Sequence, residues 1–321
     1  MKYAQLGRSR LEVSRLCLGT MNFARFADTA SSHAMLDHAL DGGINYIDTA
    51  NSYGTIGRPS AVEELIGEWI AGDAARRDRI VLATKLYEAR EDWPNSGGLS
   101  SWSIRRAVEQ SLTRLNTDRI DIIQMHHVDR RAHWSEVWEA FDVLRAQGKI
   151  LYVGSSNFAG WHLASAQYEA TMRRSFGLIS EQSIYNLAQR SIELEVLPAA
   201  EGLGIGVVAW SPLAGGLLAS VTDGGRRSND PAFDSRAKQH EAALQETRTI
   251  ADGLGVSLGN LAVAWVLSRP GMTSAIVGPR NPDQLRDLLS APDLQIPDEI
   301  TARLDAIWPG PGGPAPEAYA W

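Results

Sequence analysis

Four polar side chains suited to proton transfer stand at or just beyond short apolar runs. Asp48, Lys85 and His126 each end or directly follow such a run, and Tyr53 comes five residues after Asp48. A carboxylate, an ammonium, an imidazole and a phenol can together hold a proton and deliver it to a substrate oxygen. The spacing therefore predicts a proton-transfer site, provided that the runs are neighbouring parallel strands.

The chemistry expected of these groups is acid catalysis by the phenol of Tyr53. A free phenol has a pKa of about 10 and is a weak acid near neutral pH. The ammonium of Lys85 would lower this pKa by favouring the phenolate, and the carboxylate of Asp48 would hold the ammonium in place. His126 would donate a hydrogen bond to a carbonyl oxygen, which the phenol would protonate as the carbonyl carbon is attacked.

Each residue also has an ordinary structural interpretation. Asp48 would cap a turn, Tyr53 would be a loop aromatic and Lys85 would be an exposed lysine at a strand end. His127 competes with His126 as the functional histidine. Their joint occurrence at equivalent ends of consecutive strands favours the site over separate coincidences.

The sequence indicates no nucleophile for acyl transfer, because it has neither a Gly-x-Ser-x-Gly elbow nor a reactive-cysteine motif. Hydride addition from a bound cofactor is favoured instead. A metal site is the weaker interpretation. His126, His127 and Asp129 are potential ligands, but His33 and His38 are spaced i, i+5 and no His-Glu-x-x-His motif occurs. We expect no metal.

Short runs rich in Ile, Val and Leu, separated by windows of helical period, predict strands that are buried on both faces. In 134–147 apolar residues recur at helical spacing, and Gly148 would end that helix. Ser60 would cap the helix of 61–71, with Glu63 at the capping-box position. The strands are predicted at 15–19, 43–48, 79–84, 119–125, 150–154, 178–182, 205–210 and 274–278.

Strands that alternate with helices in this way fit either an open doubly wound sheet or a closed barrel. An open dinucleotide-binding sheet usually carries G-x-G-x-x-G after its first strand. Here the nearest match, 202–206, precedes a strand instead. We therefore predict an α/β fold of the (β/α)8 TIM-barrel type, in which the C-terminal ends of the strands face one site.

Three segments are additional to a bare barrel, and one domain is predicted over 1–321. Residues 1–14 predict an N-terminal β-hairpin. The polar stretch 217–240 predicts a mobile loop at the active face. The tail 309–314, rich in proline and glycine, is predicted to form neither a helix nor a central strand.

Composition excludes several classes of protein. The net charge of −7 argues against a nucleic-acid partner. Cys17 is the one cysteine and lies in an apolar run, so we expect a buried thiol and a reducing compartment. We find no signal-peptide pattern and no apolar run of the ~18 residues that suggest a membrane span. The expectation is a cytoplasmic protein without membrane contact, either a monomer or a homo-oligomer.

Taken in order, the motifs of this chain resemble those of the aldo-keto reductase superfamily of barrel oxidoreductases. The resemblance runs from Gly7 to about Ser290. A single motif would be weak support, but the ordered set is specific. The set comprises LGTM at 18–21, NYIDTA at 45–50, YG at 53–54, ATK at 83–85, QMH at 124–126, GSSNF at 154–158, QSIYN at 182–186, WSPL at 210–213 and IVG at 276–278.

The resemblance implies a catalytic tetrad of Asp48, Tyr53, Lys85 and His126, and it selects His126 over His127. It also implies a nicotinamide cofactor, with Trp210 stacked under the ring. The carboxamide of that ring would be bound by Ser156, Asn157 and Gln182. The other cofactor positions implied by the family are Gly19, Thr20, Met21, Ser211, Leu213, Gly215, Gly216, Gly278, Arg280 and Gln284.

The choice of NADP as cofactor rests on Arg280. Members of the family place a basic residue here against the 2′-phosphate, and a guanidinium can pair with phosphate bidentately. The alternative is a surface arginine on a loop. A small-molecule carbonyl substrate is expected. Its apolar pocket would be formed by Met21, Phe23, Tyr87 and Trp93, and Tyr319 and Trp321 could close the mouth. The alternative is that the first four residues only pack the loops against one another.

The leading functional hypothesis is therefore NADPH-dependent reduction of an aldehyde or ketone. Two alternatives stay open. The first is a regulatory subunit without significant turnover, because some relatives of this fold bind NADPH and associate with membrane channels. An NAD(P)-dependent sugar or alcohol dehydrogenase that works in the oxidative direction is the other.

Overall fold

A computed structural model describes residues 1–55, 57–219 and 231–318 of the chain. Within these ranges the strands alternate with helices, as predicted. The strands are β1 (Tyr3–Gln5), β2 (Glu12–Ser14), β3 (Leu16–Gly19), β4 (Tyr46–Asp48), β5 (Val81–Leu86), β6 (Ile120–Met125), β7 (Ile150–Ser156), β8 (Leu178–Ile184), β9 (Gly206–Trp210) and β10 (Met272–Val277).

The helices cover the outside of the strands and include the two predicted in detail. They are α1 (Thr29–Asp41), α2 (Ala61–Ala71), α3 (Ala75–Asp78), α4 (Ser101–Arg114), α5 (Trp134–Ala146), α6 (Gly160–Met172), α7 (Val196–Leu203), α8 (Pro231–Gln239), α9 (Glu241–Leu254), α10 (Leu258–Ser268), α11 (Pro282–Leu288) and α12 (Asp298–Ile307). Short 3-10 turns lie at Ser191–Glu193, Ala214–Gly216 and Ala291–Asp293. Gly148 follows the end of α5 with a φ of 71°, as its predicted stop role requires.

Strands β3 to β10 form a closed barrel in which chain neighbours pair in parallel and β10 closes on β3. The predicted (β/α)8 TIM barrel is confirmed. Along each strand alternate side chains point into the barrel and towards the helices. The inner set includes Tyr46, Ala83 and Ile122, whereas most apolar side chains fill the layer between barrel and helices.

The predicted N-terminal hairpin is also confirmed, because β1 and β2 pair antiparallel ahead of the barrel. Its side chains Leu6 and Val13 join the inner core of the barrel. Gly7 has a φ of 57°, and a Cβ there would collide with the backbone of Ile179. Glycine therefore lets the hairpin lie directly against the strands and cover one end of the barrel.

Two local predictions were wrong. Ser60 does not cap α2 with its side chain, because it has a φ of 78° and its hydroxyl donates to the carbonyl of Asn51 and accepts from Arg90. The predicted loop 217–240 is partly helical, since 231–239 form α8. The polar residues 220–230 of that stretch lie outside the described residues. The tail 309–314 forms neither helix nor strand.

Across the residues that the structure describes, no single helix is long and apolar enough to cross a membrane. Helices α9 and α10 pass that test only together, by length and composition, and are bent by 91° at the break between them.

Candidate active site

The four residues predicted to transfer a proton lie together at the C-terminal ends of neighbouring strands. Asp48 is the last residue of β4, Lys85 lies near the end of β5 and His126 directly follows β6. Asp48 and Lys85 follow inward-pointing residues of their own strands by two positions, and this alternation turns both side chains into the barrel. Tyr53 reaches the same place from the loop after β4.

The ammonium of Lys85 lies at the centre of this group. Its Nζ is 2.5 Å from Oδ2 of Asp48, 3.0 Å from the carbonyl oxygen of Thr49 and 3.3 Å from the hydroxyl of Tyr53. Lys85 and Asp48 are both buried. The ion pair is therefore shielded from water, and its geometry is set by the two strand ends.

The pKa of Tyr53 departs from the expected direction. Burial raises this pKa, Lys85 lowers it and Asp48 raises it again, and the net result is a pKa above the ordinary value. Lys85 acts on the phenol as predicted, but burial is the larger effect. Burial lowers the pKa of Lys85, but Asp48 and Tyr53 together raise it by more. The net pKa lies above the ordinary value, so the amine stays charged. Tyr53 thus holds its proton across the ordinary pH range.

His126 lies edge-on to Tyr53, with a distance of 6.1 Å between ring centroids. Burial, then Lys85 and His127, lower the pKa of His126 to about 3, so the ring is neutral near pH 7. Its Nδ1 is buried and has no hydrogen-bond partner in the described part of the chain. His127 stacks on the ring of His126, and its Nε2 lies 3.5 Å from the carboxylate of Glu88.

Residues expected at the nicotinamide ring form one connected group beside this site. Asn157 has a φ of 60°, and its Nδ2 donates to the carbonyl of His126 while its Oδ1 accepts from Nε1 of Trp210 at 3.1 Å. Ser156 donates to the backbone of Gln182 at 2.8 Å. The structure thus brings Ser156, Asn157, Gln182 and Trp210 together around the mouth of the barrel.

The turn expected at the pyrophosphate contains several residues with positive φ. Ser211, Gly215 and Gly216 have φ values of 56°, 70° and 102°, and the hydroxyl of Ser211 accepts from the N–H of Gly215 at 2.9 Å. A Cβ at Gly216 would meet no atom within 4 Å, so this turn is open on its outer side. Successive positive φ values with glycine suit close approach of a phosphate. Leu213 lies within the same turn, partly buried.

The expected cofactor positions near the ends of β3 and β10 differ in how accessible they are. The hydroxyl of Thr20 is buried and donates to the carbonyl of Asp48 at 2.9 Å, which ties the loop to the acid group. Gly19 is packed against Ile276, whereas Met21 is 46 % exposed. Gly278 is exposed at the end of β10. Met21 and Gly278 are therefore the accessible members of this set.

Arg280 and Gln284 lie together at the start of α11. The backbone N–H of Arg280 donates to Oε1 of Gln284 at 2.9 Å, and Asn281 caps the helix. Both Arg280 and Gln284 are partly exposed. Both residues follow the C-terminal end of β10, the strand that pairs with β3.

Of the expected pocket residues, only some line the mouth. Phe23 is 1 % exposed and packs in the core, which agrees with the packed-loop alternative and not with a place in the pocket. Tyr87 contacts His127 edge-on at 5.5 Å between ring centroids, and Trp93 is 71 % exposed on the loop after β5. The last residues of the chain, 319–321, lie outside the described residues.

Two buried polar residues were missed in the sequence. Gln124 donates to Oδ1 of Asp48 at 3.0 Å. The sequence feature that could have identified Gln124 is the alternation of side chains along a strand. Gln124 precedes His126 by two positions, so the two side chains lie on the same side of β6. Glu181 accepts from Ser155 and from the backbone N–H of Phe158, behind the loop that carries Asn157. No sequence signal marks Glu181, since its partners come from other segments.

Candidate metal ligands do not come together. No group of three or more His, Cys, Asp or Glu side chains is arranged to hold a metal ion within 1–55, 57–219 and 231–318. Cys17 is a free, buried thiol, and burial, together with Asp48, raises its pKa well above the ordinary value.

The closed parallel barrel, with Asp48, Tyr53, Lys85 and His126 at its strand ends, is of the (β/α)8 class. The Aldo/keto reductase family matches this chain over residues 15–309, and the chain belongs to that family. Members of this family act on small-molecule carbonyl compounds with a nicotinamide cofactor.

Similar proteins cover nearly the whole chain. An uncharacterized oxidoreductase, YrpG of Bacillus subtilis (strain 168), is 49% identical over an alignment of 332 positions that covers 100% of both chains. A probable voltage-gated potassium channel subunit beta of Oryza sativa subsp. japonica is 31% identical over 96% of each chain. The versiconal hemiacetal acetate reductase of Aspergillus parasiticus is 30% identical, over 94% of this chain and 95% of its own.

Proposed function

We propose that this protein reduces an aldehyde or ketone to an alcohol with NADPH, and that Tyr53 is the general acid. The observation that carries the proposal is the position of Lys85, whose Nζ is 2.5 Å from the Asp48 carboxylate and 3.3 Å from the Tyr53 hydroxyl. Bound NADPH would supply a hydride to the carbonyl carbon. The proton for the carbonyl oxygen would come from Tyr53.

The remaining side chains prepare this proton transfer. Asp48 holds the ammonium against the phenol, so that the phenolate left after protonation is stabilised by a fixed positive charge. Neutral His126 has one N–H to donate and would fix the direction of the carbonyl oxygen. Trp210 and Asn157 would bind the nicotinamide end, and the open turn at Ser211–Gly216 would bind phosphate. Arg280 would select NADPH over NADH through the 2′-phosphate.

The test is steady-state consumption of NADPH with a panel of aromatic and aliphatic aldehydes, for the wild type and for Tyr53→Phe. We expect turnover by the wild type and a loss of about 10²-fold or more in the variant, because the acid is missing. NADPH binding, followed by nucleotide fluorescence, should be retained. Equal turnover in both proteins would refute the role of Tyr53.

A second candidate is a cofactor-binding regulatory subunit, which is favoured by the similarity to proteins described as probable potassium channel beta subunits. The same experiment separates the two. Tight NADPH binding with equally slow turnover in wild type and Tyr53→Phe would support the regulatory function. We also propose the reducing cytoplasm as the location, since the one cysteine, Cys17, is buried and free.

A further inference from the structure

Gln124 lies between two parts of the candidate site and is fully buried. Its Nε2 donates to Oδ1 of Asp48 at 3.0 Å, and its Oε1 accepts from Nε2 of Gln182 at 3.2 Å. The same Nε2 of Gln182 donates to Oδ1 of Asp48 at 2.7 Å. These side chains therefore form a closed triangle of hydrogen bonds inside the barrel.

The chemistry of the groups determines which way each amide points. An ionised carboxylate only accepts hydrogen bonds, so Gln124 and Gln182 must both turn their NH₂ groups towards Asp48. The free oxygen of Gln124 then faces an N–H of Gln182. Oδ1 of Asp48 and Oε1 of Gln124 both accept hydrogen bonds inside the triangle, as buried polar atoms usually do.

The triangle leaves one carboxylate oxygen for Lys85. Oδ1 of Asp48 is occupied by the two amides, and Oδ2 receives the ammonium at 2.5 Å. Rotation of the carboxylate would break several hydrogen bonds at once. Room for the glutamine is provided by Gly154, its register partner on β7, where a Cβ would lie 3.2 Å from Cγ of Gln124.

We propose that Gln124 is a positioning residue, which locks the Asp48 carboxylate so that Lys85 stays against Tyr53. It also holds the amide of Gln182, which itself donates to Asp48, and this part rests on the proposed function, with Gln182 at the nicotinamide carboxamide as the family resemblance implies. A hydrogen-bonded chain then runs from the cofactor through Gln182, Asp48 and Lys85 to the phenol. Binding of the cofactor and the strength of the acid are coupled through it.

The test replaces Gln124 with leucine, which keeps the bulk and removes both hydrogen bonds. We expect kcat for aldehyde reduction to fall by about tenfold to a hundredfold, the range of a hydrogen bond to a charged group. KM for the aldehyde should change less than about twofold, because Gln124 would act on the transition state through Asp48.

A second readout is the pH profile of alcohol oxidation with NADP⁺, which requires the phenolate of Tyr53. Without the hydrogen bond from Gln124, the negative charge of Asp48 is less well neutralised. It therefore opposes formation of the Tyr53 phenolate more strongly. The profile should therefore shift to higher pH. A purely structural loss would lower the amount of folded protein and leave this profile in place.

The matched control is Gln167→Leu. Gln167 is another buried glutamine, on α6, whose Oε1 accepts from the N–H of Leu178 at 3.1 Å, far from the acid group. Its loss should lower stability and leave kcat and the pH profile of the folded enzyme unchanged. Should Gln124→Leu fold poorly, Gln124→Met is an unbranched replacement for the same measurement.

Failure of this inference can be told from failure of the proposed function. If Tyr53→Phe turns over like the wild type, the proposed function is wrong and the inference falls with it. If Tyr53→Phe is slow while Gln124→Leu and Gln124→Met keep the wild-type kcat and pH profile, only the role of Gln124 is overturned.

Discussion

The ammonium nitrogen of Lys85 lies 3.3 Å from the hydroxyl of Tyr53 and 5.0 Å from the centre of its ring. The ammonium is therefore closer to the phenol oxygen than to the centre of the ring. Burial raises the pKa of Tyr53, and Lys85 limits that rise. The acid keeps its proton in the resting site and gains a stabilised phenolate once the proton leaves.

Replacing Lys85 with methionine should raise the pKa of Tyr53 further, because the opposing positive charge is removed. In the pH profile of alcohol oxidation, which needs the phenolate, the rising limb should move to higher pH. The maximal rate should fall by about 10²-fold. Lys149→Met, which removes a lysine paired with Glu109 on the outside of the barrel, serves as the control. An unchanged profile in Lys85→Met would show that Lys85 does not act on the phenol.

Arg280→Ala should weaken NADPH binding and leave NADH binding nearly unchanged. Loss of a hydrogen bond to a charged group costs ~1.5–3 kcal/mol, and only NADPH carries the 2′-phosphate. Fluorescence titration with both nucleotides measures the difference. Arg286→Ala, on the exposed side of α11 where Arg286 pairs with Asp283, is the matched control. Equal losses for NADPH and NADH would show that Arg280 does not recognise the 2′-phosphate.

Glu181 and His126 should make opposite contributions to stability as pH changes. Burial raises the pKa of Glu181 to about 7, although Ser155, Ser183 and the backbone N–H groups of Phe158 and Asn157 oppose the rise. A raised carboxyl pKa means that the folded state holds the proton more tightly. Its contribution is fully present below the ordinary pKa of 4.5 and is lost as pH rises to about 7.

The lowered pKa of His126, about 3, has the reverse effect, since stability is lost as pH falls from 6.5 towards 3. The two trends oppose each other between about pH 4.5 and 6.5. Glu181→Gln should leave the His126 trend alone. Relative to the wild type, the variant should therefore gain unfolding free energy as pH rises from 5 to 7, by at most ~1.4 kcal/mol per pH unit. Urea unfolding at several pH values measures this, and a difference independent of pH would contradict it.

The sequence was sufficient to predict the barrel because the strands contain short runs rich in Ile, Val and Leu, separated by windows of helical period. The sequence was also sufficient to predict that the side chains at the strand ends lie close together, since parallel strands in a barrel bring their C-terminal ends to one face. The period of two would have identified Gln124, which shares its side of β6 with His126. Only the geometry shows that its amide reaches Asp48 across β5.

Other features depend on contacts between distant segments, which local patterns do not contain. Ser60 has the residue type and spacing of a helix cap, but Arg90 and the carbonyl of Asn51 occupy its hydroxyl. Phe23 follows a barrel strand like a pocket residue, yet it turns into the core. The net pKa of Tyr53 also escaped prediction, because the depth of burial decides its sign.

The central claim is that Tyr53 delivers the proton while NADPH delivers the hydride, and a single-turnover experiment tests it most directly. Protein loaded with NADPH is mixed rapidly with excess aldehyde, and the loss of reduced nicotinamide absorbance is followed in wild type and Tyr53→Phe. The account predicts a fast single phase for the wild type and a rate ~10²–10⁴-fold lower for the variant, with the same NADPH affinity. Equal single-turnover rates in the two proteins would contradict it.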